Sequence, residues 1–265
     1  MEFRFCSLSS GSSGNASYIG TPGTHLLVDA GLTGKKMMAA LVQIGIQASE
    51  LHGILVTHEH IDHIRGVGIL SRKFKIPIYA NEQTWIAMES KIGAIDEKNK
   101  RIFDSERDFY IRDINVQPYN IPHDAVEPVG YSFYFENRKI SITTDLGHTN
   151  SKIINRLADS DLLLLESNHD IEMLKVGSYP YPLKKRILGN NGHLSNEAAG
   201  NALVELVKRN VHHVLLGHLS ADNNFPELAY QTVVSILQEN GIHDNKDIRV
   251  DMTYRERISG YYQIR

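Results

Sequence analysis

Gly53-Ile54-Leu55-Val56-Thr57-His58-Glu59-His60-Ile61-Asp62-His63 begins as a compact apolar run and closes on four metal-type donors. Residues 53–57 read as a short buried strand, and the histidines read as the loop at its end. His58 and His60 are two apart, so an extended segment turns both to one side. Asp62 and His63 come after the chain turns and can approach from another direction. Imidazole and carboxylate suit Zn²⁺, Mn²⁺ or Fe²⁺, and this spacing fits two adjacent metal positions better than one. A histidine-rich surface loop is the bland alternative; it leaves the placement of later donors unexplained.

Outward from this stretch, the same design repeats. Short apolar strands end in single potential ligands: His123 after residues 115–121, Asp145 after 139–143, Glu166 after 161–165, His218 after 211–216. Strands supply rigidity and their terminal loops supply chemistry. Further strands are expected at 3–6, 18–19, 25–29, 77–80, 248–253 and 260–264. A hairpin is expected where 131–135 meets 139–143. Helical spacing marks 35–44, 67–75, Asn196–Val207, capped by Ser195 or Asn196, and Pro226–Glu239. The Ser/Gly cluster of residues 7–17 reads as a tight loop. Strands, hairpins and helices are thus mixed, which predicts mixed sheets with covering helices and one shared catalytic rim.

The bulk properties agree. With 265 residues, 42% hydrophobic and 22% charged, the chain suits one α/β domain over residues 1–265. A formal charge of −3 excludes an overall basic nucleic-acid coat. The single cysteine, Cys6, excludes internal disulfides and a cysteine-rich zinc site. The amino terminus lacks the apolar stretch of a signal peptide, and no run is long enough to span a membrane. A cytoplasmic enzyme is expected; the oligomeric state is left open. Of the 13 histidines, His25, His52, His212, His213 and His243 fit no motif and are assigned to surface or packing, while His148 lies three positions after Asp145.

His58-x-His60-x-Asp62-His63 after a buried strand resembles the signature of the metallo-β-lactamase superfamily, and the later donors recur in that family's order. The resemblance implies an αββα sandwich, two mixed sheets covered by helices, with the metals at one edge. It implies that His58, His60 and His123 hold one divalent ion, that Asp62, His63 and His218 hold a second, and that Asp145 bridges them. Asp62 would also orient the attacking water. Lactam-cleaving members commonly carry cysteine at the position of Asp145, which disfavours antibiotic hydrolysis here.

Gly192-His193-Leu194-Ser195 resembles the segment of the ribonuclease Z branch whose histidine protonates the leaving group, with Glu166 placed to orient His193. The plain alternative for His193 is a neighbour of a helix cap. Only residues 124–144 separate His123 from Asp145, which leaves no room for a tRNA-clamping arm. The Ser/Gly loop, Asp29-Ala30-Gly31 and the stretch 218–224 resemble the compact YycJ/WalJ group, associated with 5′→3′ DNA exonuclease activity. The implied reaction is attack of a metal-bridging hydroxide on phosphorus, with His193 protonating the departing oxygen.

Ser12, Ser13 and Asn15 can offer hydroxyls and close backbone to a phosphate. Lys184 and Lys185, with Tyr179 and Tyr181 nearby, can contact a nucleic-acid backbone, as can Arg72, Lys73 and Lys75. A plain turn and solvated basic faces are the competing readings. The same metal ligands would also serve hydrolysis of a small cyclic phosphodiester or a thioester, or a metal-dependent binding protein without catalysis.

Overall fold

Leu162-Leu163-Leu164-Leu165 shows how the layers form. Leu162 and Leu164 enter a core between two sheets, while Leu163 and Leu165 enter a second core beneath helices. Because both faces are covered, the strand is apolar without alternation, as parallel strands of layered folds are.

The computed structural model describes residues 2–265. The first half contributes β1 (Phe3–Ser9), β2 (Ala16–Gly20), β3 (His25–Val28), β4 (Gly53–Leu55), β5 (Ile78–Asn81) and β6 (Lys100–Phe103). Then come β7 (Phe109–Ile111), β8 (Ile114–Asn120), β9 (Val129–Phe135), β10 (Arg138–Thr143) and β11 (Leu162–Glu166). The chain finishes with β12 (His213–Gly217), β13 (Arg249–Met252) and β14 (Ser259–Ile264). Two seven-stranded sheets result, ordered β14-β1-β2-β3-β4-β5-β6 and β13-β12-β11-β10-β9-β8-β7. Each is antiparallel in one half and parallel in the other, with β3–β4–β5–β6 and β10–β11–β12–β13 parallel.

Helices α1 (Gly34–Gln43), α2 (Ile61–Ile64), α3 (Val67–Phe74) and α4 (Glu82–Ile92) belong to the first half. Met37 and Leu41, Val67 and Leu70, and Trp85 and Met88 seal the outer face of the first sheet. Helices α5 (Ser151–Leu157), α6 (Ile171–Val176), α7 (Tyr181–Ile187), α8 (Asn196–Val207) and α9 (Pro226–Glu239) belong to the second half. Leu157, Leu203 and Val233 cover that sheet's outer face. Phe3, Phe5, Tyr131, Phe133 and Leu164 fill the layer between the sheets. The expected αββα sandwich is therefore the observed one.

Several details differ from the sequence reading. The Ser/Gly loop is shorter than residues 7–17: β1 runs to Ser9 and β2 begins at Ala16, and Ser7 and Ser9 pair with Ser17 and Ala16. Buried Ser9 is tolerated there because a partner is at hand: its Oγ donates to Gly14 O at 2.7 Å. The turn inside the histidine motif is a helical one, α2. The sequence reading has no counterpart for α4 to α7, β6 or β7. No helix among the described residues is long and apolar enough to cross a membrane.

Candidate metal centre

The carboxyl ends of the parallel strands of both sheets meet at one edge of the sandwich. Such ends are where α/β sheets place their ligands. Asp29 follows β3, His58 follows β4, Asp145 follows β10, Glu166 closes β11 and His218 follows β12. Asp29, Asp145 and His218 adopt left-handed backbone, with φ of 59°, 58° and 57°. A non-glycine residue in this region costs on the order of 1–3 kcal/mol. The surrounding hydrogen bonds hold all three there, and the chain turns sharply at each as it leaves its strand.

Four overlapping donor groups form; two are His58, His63 and Asp145, and Asp145, Glu166, His193 and His218, and the remaining two share no residue. The ligand atoms of His58, His60 and His123 lie within 4.8 Å of one another, and so do those of Asp62, His63 and His218. Asp145 stands between them. Its Oδ2 is 3.1 Å from His63 Nε2, and its Oδ1 is 3.4 Å from His218 Nε2 and 3.6 Å from His123 Nε2.

The imidazoles are turned inward by what holds their other nitrogens. His63 Nδ1 meets Asp29 Oδ2 at 2.8 Å, His218 Nδ1 meets Glu166 Oε1 at 2.8 Å, and His123 Nδ1 meets Gly192 O at 3.1 Å. Thr57 Oγ1 donates to Asp29 Oδ2 at 2.8 Å, which leaves its lone pairs for His58 Nδ1 at 3.0 Å. With Nδ1 acting as donor in each ring, Nε2 is the free lone pair facing the centre. His58 Nε2 is buried without a hydrogen-bond partner among the described residues.

Electrostatics agree with a cation site. Burial opposes charge on His218, yet Asp145, Asp62 and Glu166 outweigh it and lift the ring to about 10. His63, equally buried, is likewise raised, by Asp145 and Asp29. Fields that trap protons on buried histidines are fields that stabilise a divalent cation in their place. The residues therefore fit metal ions, by an orphaned nitrogen and by an anionic well.

His193 lies beside this centre, just ahead of the Ser195 cap of α8. Its ring centroid is 5.1 Å from that of His123 and 5.3 Å from that of His218. Its side chain is 18% exposed, against 1% for His218, so solvent and ligand can reach it; His60 is partly exposed as well. Glu166 is fully buried and serves both rings, with Oε1 at 2.8 Å from His193 Nδ1. Leu146 N and Leu194 N donate to its other oxygen. Burial pushes the Glu166 carboxyl up, but His193 and His218 overcome this and hold it near 2. Burial lowers His193 in turn, and Glu166 more than restores it, so the ring favours its protonated form.

The remaining sequence candidates divide. Asn15 is buried: its Nδ2 lies 3.4 Å from Asp62 Oδ2 and 3.0 Å from His63 Nε2, and its Oδ1 accepts from Gly11 N. Ser12 and Ser13 are exposed at the loop tip. Lys184, on α7, donates to Lys175 O at 2.7 Å, and Lys185 is exposed. Helix α7 reaches the His123 side of the centre through an Arg186–Asp124 ion pair. Tyr179 is tied to Asp222 and Tyr181 is open to solvent. His148 points away to Asn190 O. Asp29 had no assigned role in the sequence, although an aspartate closing a strand just ahead of Gly31 was its available signal.

Fold and centre together define a metal-dependent hydrolase. The chain belongs to the metallo-beta-lactamase superfamily, whose family model matches residues 10–218. Exodeoxyribonuclease YycJ of Bacillus anthracis is 44% identical over 241 residues, 91% of this chain and 91% of its own. Exodeoxyribonuclease WalJ of Streptococcus pneumoniae is 41% identical over 250 residues, 94% of this chain and 93% of its own. The crystal structure of the metallo-beta-lactamase fold protein YhfI from Bacillus subtilis superposes over 100% of both chains, with a TM-score of 0.74 at 15% identity. That likeness concerns the fold.

Proposed function

We propose that residues 1–265 form one dinuclear metal-dependent phosphodiesterase domain, and that it degrades DNA as a 5′→3′ exonuclease. The observation that carries this is the pair of donor groups on either side of Asp145, with the reachable His193 held beside them by Glu166. Two relatives named exodeoxyribonuclease, each over 40% identical across nine-tenths of the chain, support DNA as substrate.

In this reading His58, His60 and His123 hold one ion, Asp62, His63 and His218 hold the other, and Asp145 serves both. Two divalent ions there, Zn²⁺, Mn²⁺ or Fe²⁺, would neutralise phosphoryl charge and acidify a water. Asp62, whose side chain is 20% exposed, orients the attacking water, and Asn15 steadies its carboxylate. His193 gives its proton to the departing oxygen, a contribution of about 10²–10⁴-fold in rate. Glu166 keeps that proton on the ring near neutral pH and points the ring at the centre. Ser12 and Ser13 stand at the rim for a phosphate, as do Lys184 and Lys185 for the nucleic-acid backbone.

The test is turnover of DNA labelled at one end or the other, with Mn²⁺ or Zn²⁺, beside a cyclic phosphodiester and a thioester. Early release of a 5′-labelled mononucleotide is expected. Early release of the 3′ label would reverse the polarity. Intact DNA alongside rapid turnover of either small substrate would overturn the reading.

A further inference from the structure

A cavity of about 660 Å³ lies beside the metal centre and has no assigned role. Its size is that of a ligand pocket. Lys36, Arg65, Arg255 and Arg257 line it against a single carboxylate, Glu256, with Ser13 at its rim. None of the four cations makes an ion pair among the described residues. In a chain of net charge −3, four cations around one cavity against a single carboxylate call for an anionic occupant.

Three walls of the cavity continue directly into the metal centre. Arg65 follows His63 by two residues. The loop bearing Ser13 leads to Asn15, whose backbone N–H donates to Asp62 O at 2.8 Å. Arg255 donates from Nη2 to Leu219 O at 2.9 Å, the carbonyl just after His218. Arg257 is fixed over the Tyr254 ring at 3.8 Å. All these contacts fall on the side of Asp62, His63 and His218, opposite the His123 side that α7 reaches.

We infer that this cavity binds backbone phosphates of the substrate strand next to the scissile linkage. A strand leaving the second donor group crosses the Ser/Gly loop and meets Arg65 and Arg255, then Lys36 on α1 and Arg257. Cations carried by three separate segments recognise a chain of regularly spaced anions rather than one small anion. The inference rests on the phosphodiesterase reading and deepens it by locating the nucleic acid.

The experiment is fluorescence anisotropy of a labelled single-stranded phosphorothioate oligonucleotide on the full-length, metal-loaded protein across a salt series. Lys36→Gln/Arg257→Gln, both exposed side chains remote from the ligands, is expected to weaken binding at least about tenfold. The slope of log affinity against log salt should fall by about 1.4, near 0.7 for each cation removed from a single-strand contact. Lys36→Glu, a single reversal on the surface of α1, should also weaken binding. Affinity and slope equal to wild type in both variants would overturn the cavity, as would a wild-type protein that does not bind the oligonucleotide. Turnover of unmodified end-labelled DNA by the wild type reports on the phosphodiesterase reading separately, so failure of the cavity is told apart from failure of that reading.

Discussion

The two sheets divide the donors, four from the first and three from the second, and they hold them by different means. On the first sheet His58, His60, Asp62 and His63 share one loop, fastened largely through backbone. Asn15 N donates to Asp62 O and Ala30 N to His63 O, both at 2.8 Å, and Thr57 N reaches Asp29 Oδ1 at 2.9 Å. On the second sheet Asp145, His193 and His218 come from separate segments, and one side chain, Glu166, ties them together through both oxygens. The first half is a lattice of many small ties, sensitive to shape. In the second half His193 and His218 lean on a single buried carboxylate, with His123 held separately by Gly192 O, and this half is sensitive to charge.

The largest effect should come from breaking the lattice by shape. A Cβ on Gly31 would sit 1.6 Å from Asp62 O, which is backbone and cannot swing aside. Gly31→Ala should cost about 3 kcal/mol or more in denaturant unfolding and release the bound metal. On the second sheet, His193→Ala should lower kcat by about 10²–10⁴-fold with metal content unchanged, because in the proposed reading His193 gives a proton and holds neither ion.

Glu166→Gln probes the charge dependence directly. His193 works in its protonated form, and Glu166 raises its pKa, so activity is present at low pH and lost as pH rises through that value. Removing the carboxylate charge lowers the pKa, so the basic limb of the kcat profile should move to lower pH. An unmoved limb would separate His193 from the proton transfer. Asp29→Asn is the matching change on the first sheet. It weakens the acceptor of His63 Nδ1 and should reduce metal affinity by about 10–100-fold, with no shift of that limb. Equal pH shifts in the two variants would erase the distinction between the halves.

The same contrast explains what was legible in the sequence. The first donor set was readable because its residues are contiguous and follow an apolar strand. His123, Asp145 and His218 became readable once the family resemblance supplied their order. The pairing of Glu166 with His193 was expected; the second link of Glu166, to His218 across 52 residues, is made in three dimensions and leaves no local pattern. Asp29 reads as a turn residue until His63 folds against it. The cavity cations come from three segments, and none of these marks a site on its own. Helix α4 did carry a start signal, Asn81 Oδ1 accepting from Thr84 N at 2.8 Å, but Thr84, Trp85 and Ile86 weaken its helical propensity. Helices α2, α5, α6 and α7 span two turns or fewer, too short for periodicity to show.

Anomalous diffraction from crystals loaded with Zn²⁺ or Mn²⁺ tests the central claim most directly. The account predicts two peaks, one among His58, His60 and His123, the other among Asp62, His63 and His218, with Asp145 touching both. A lone peak, or a pair that Asp145 does not join, would contradict it.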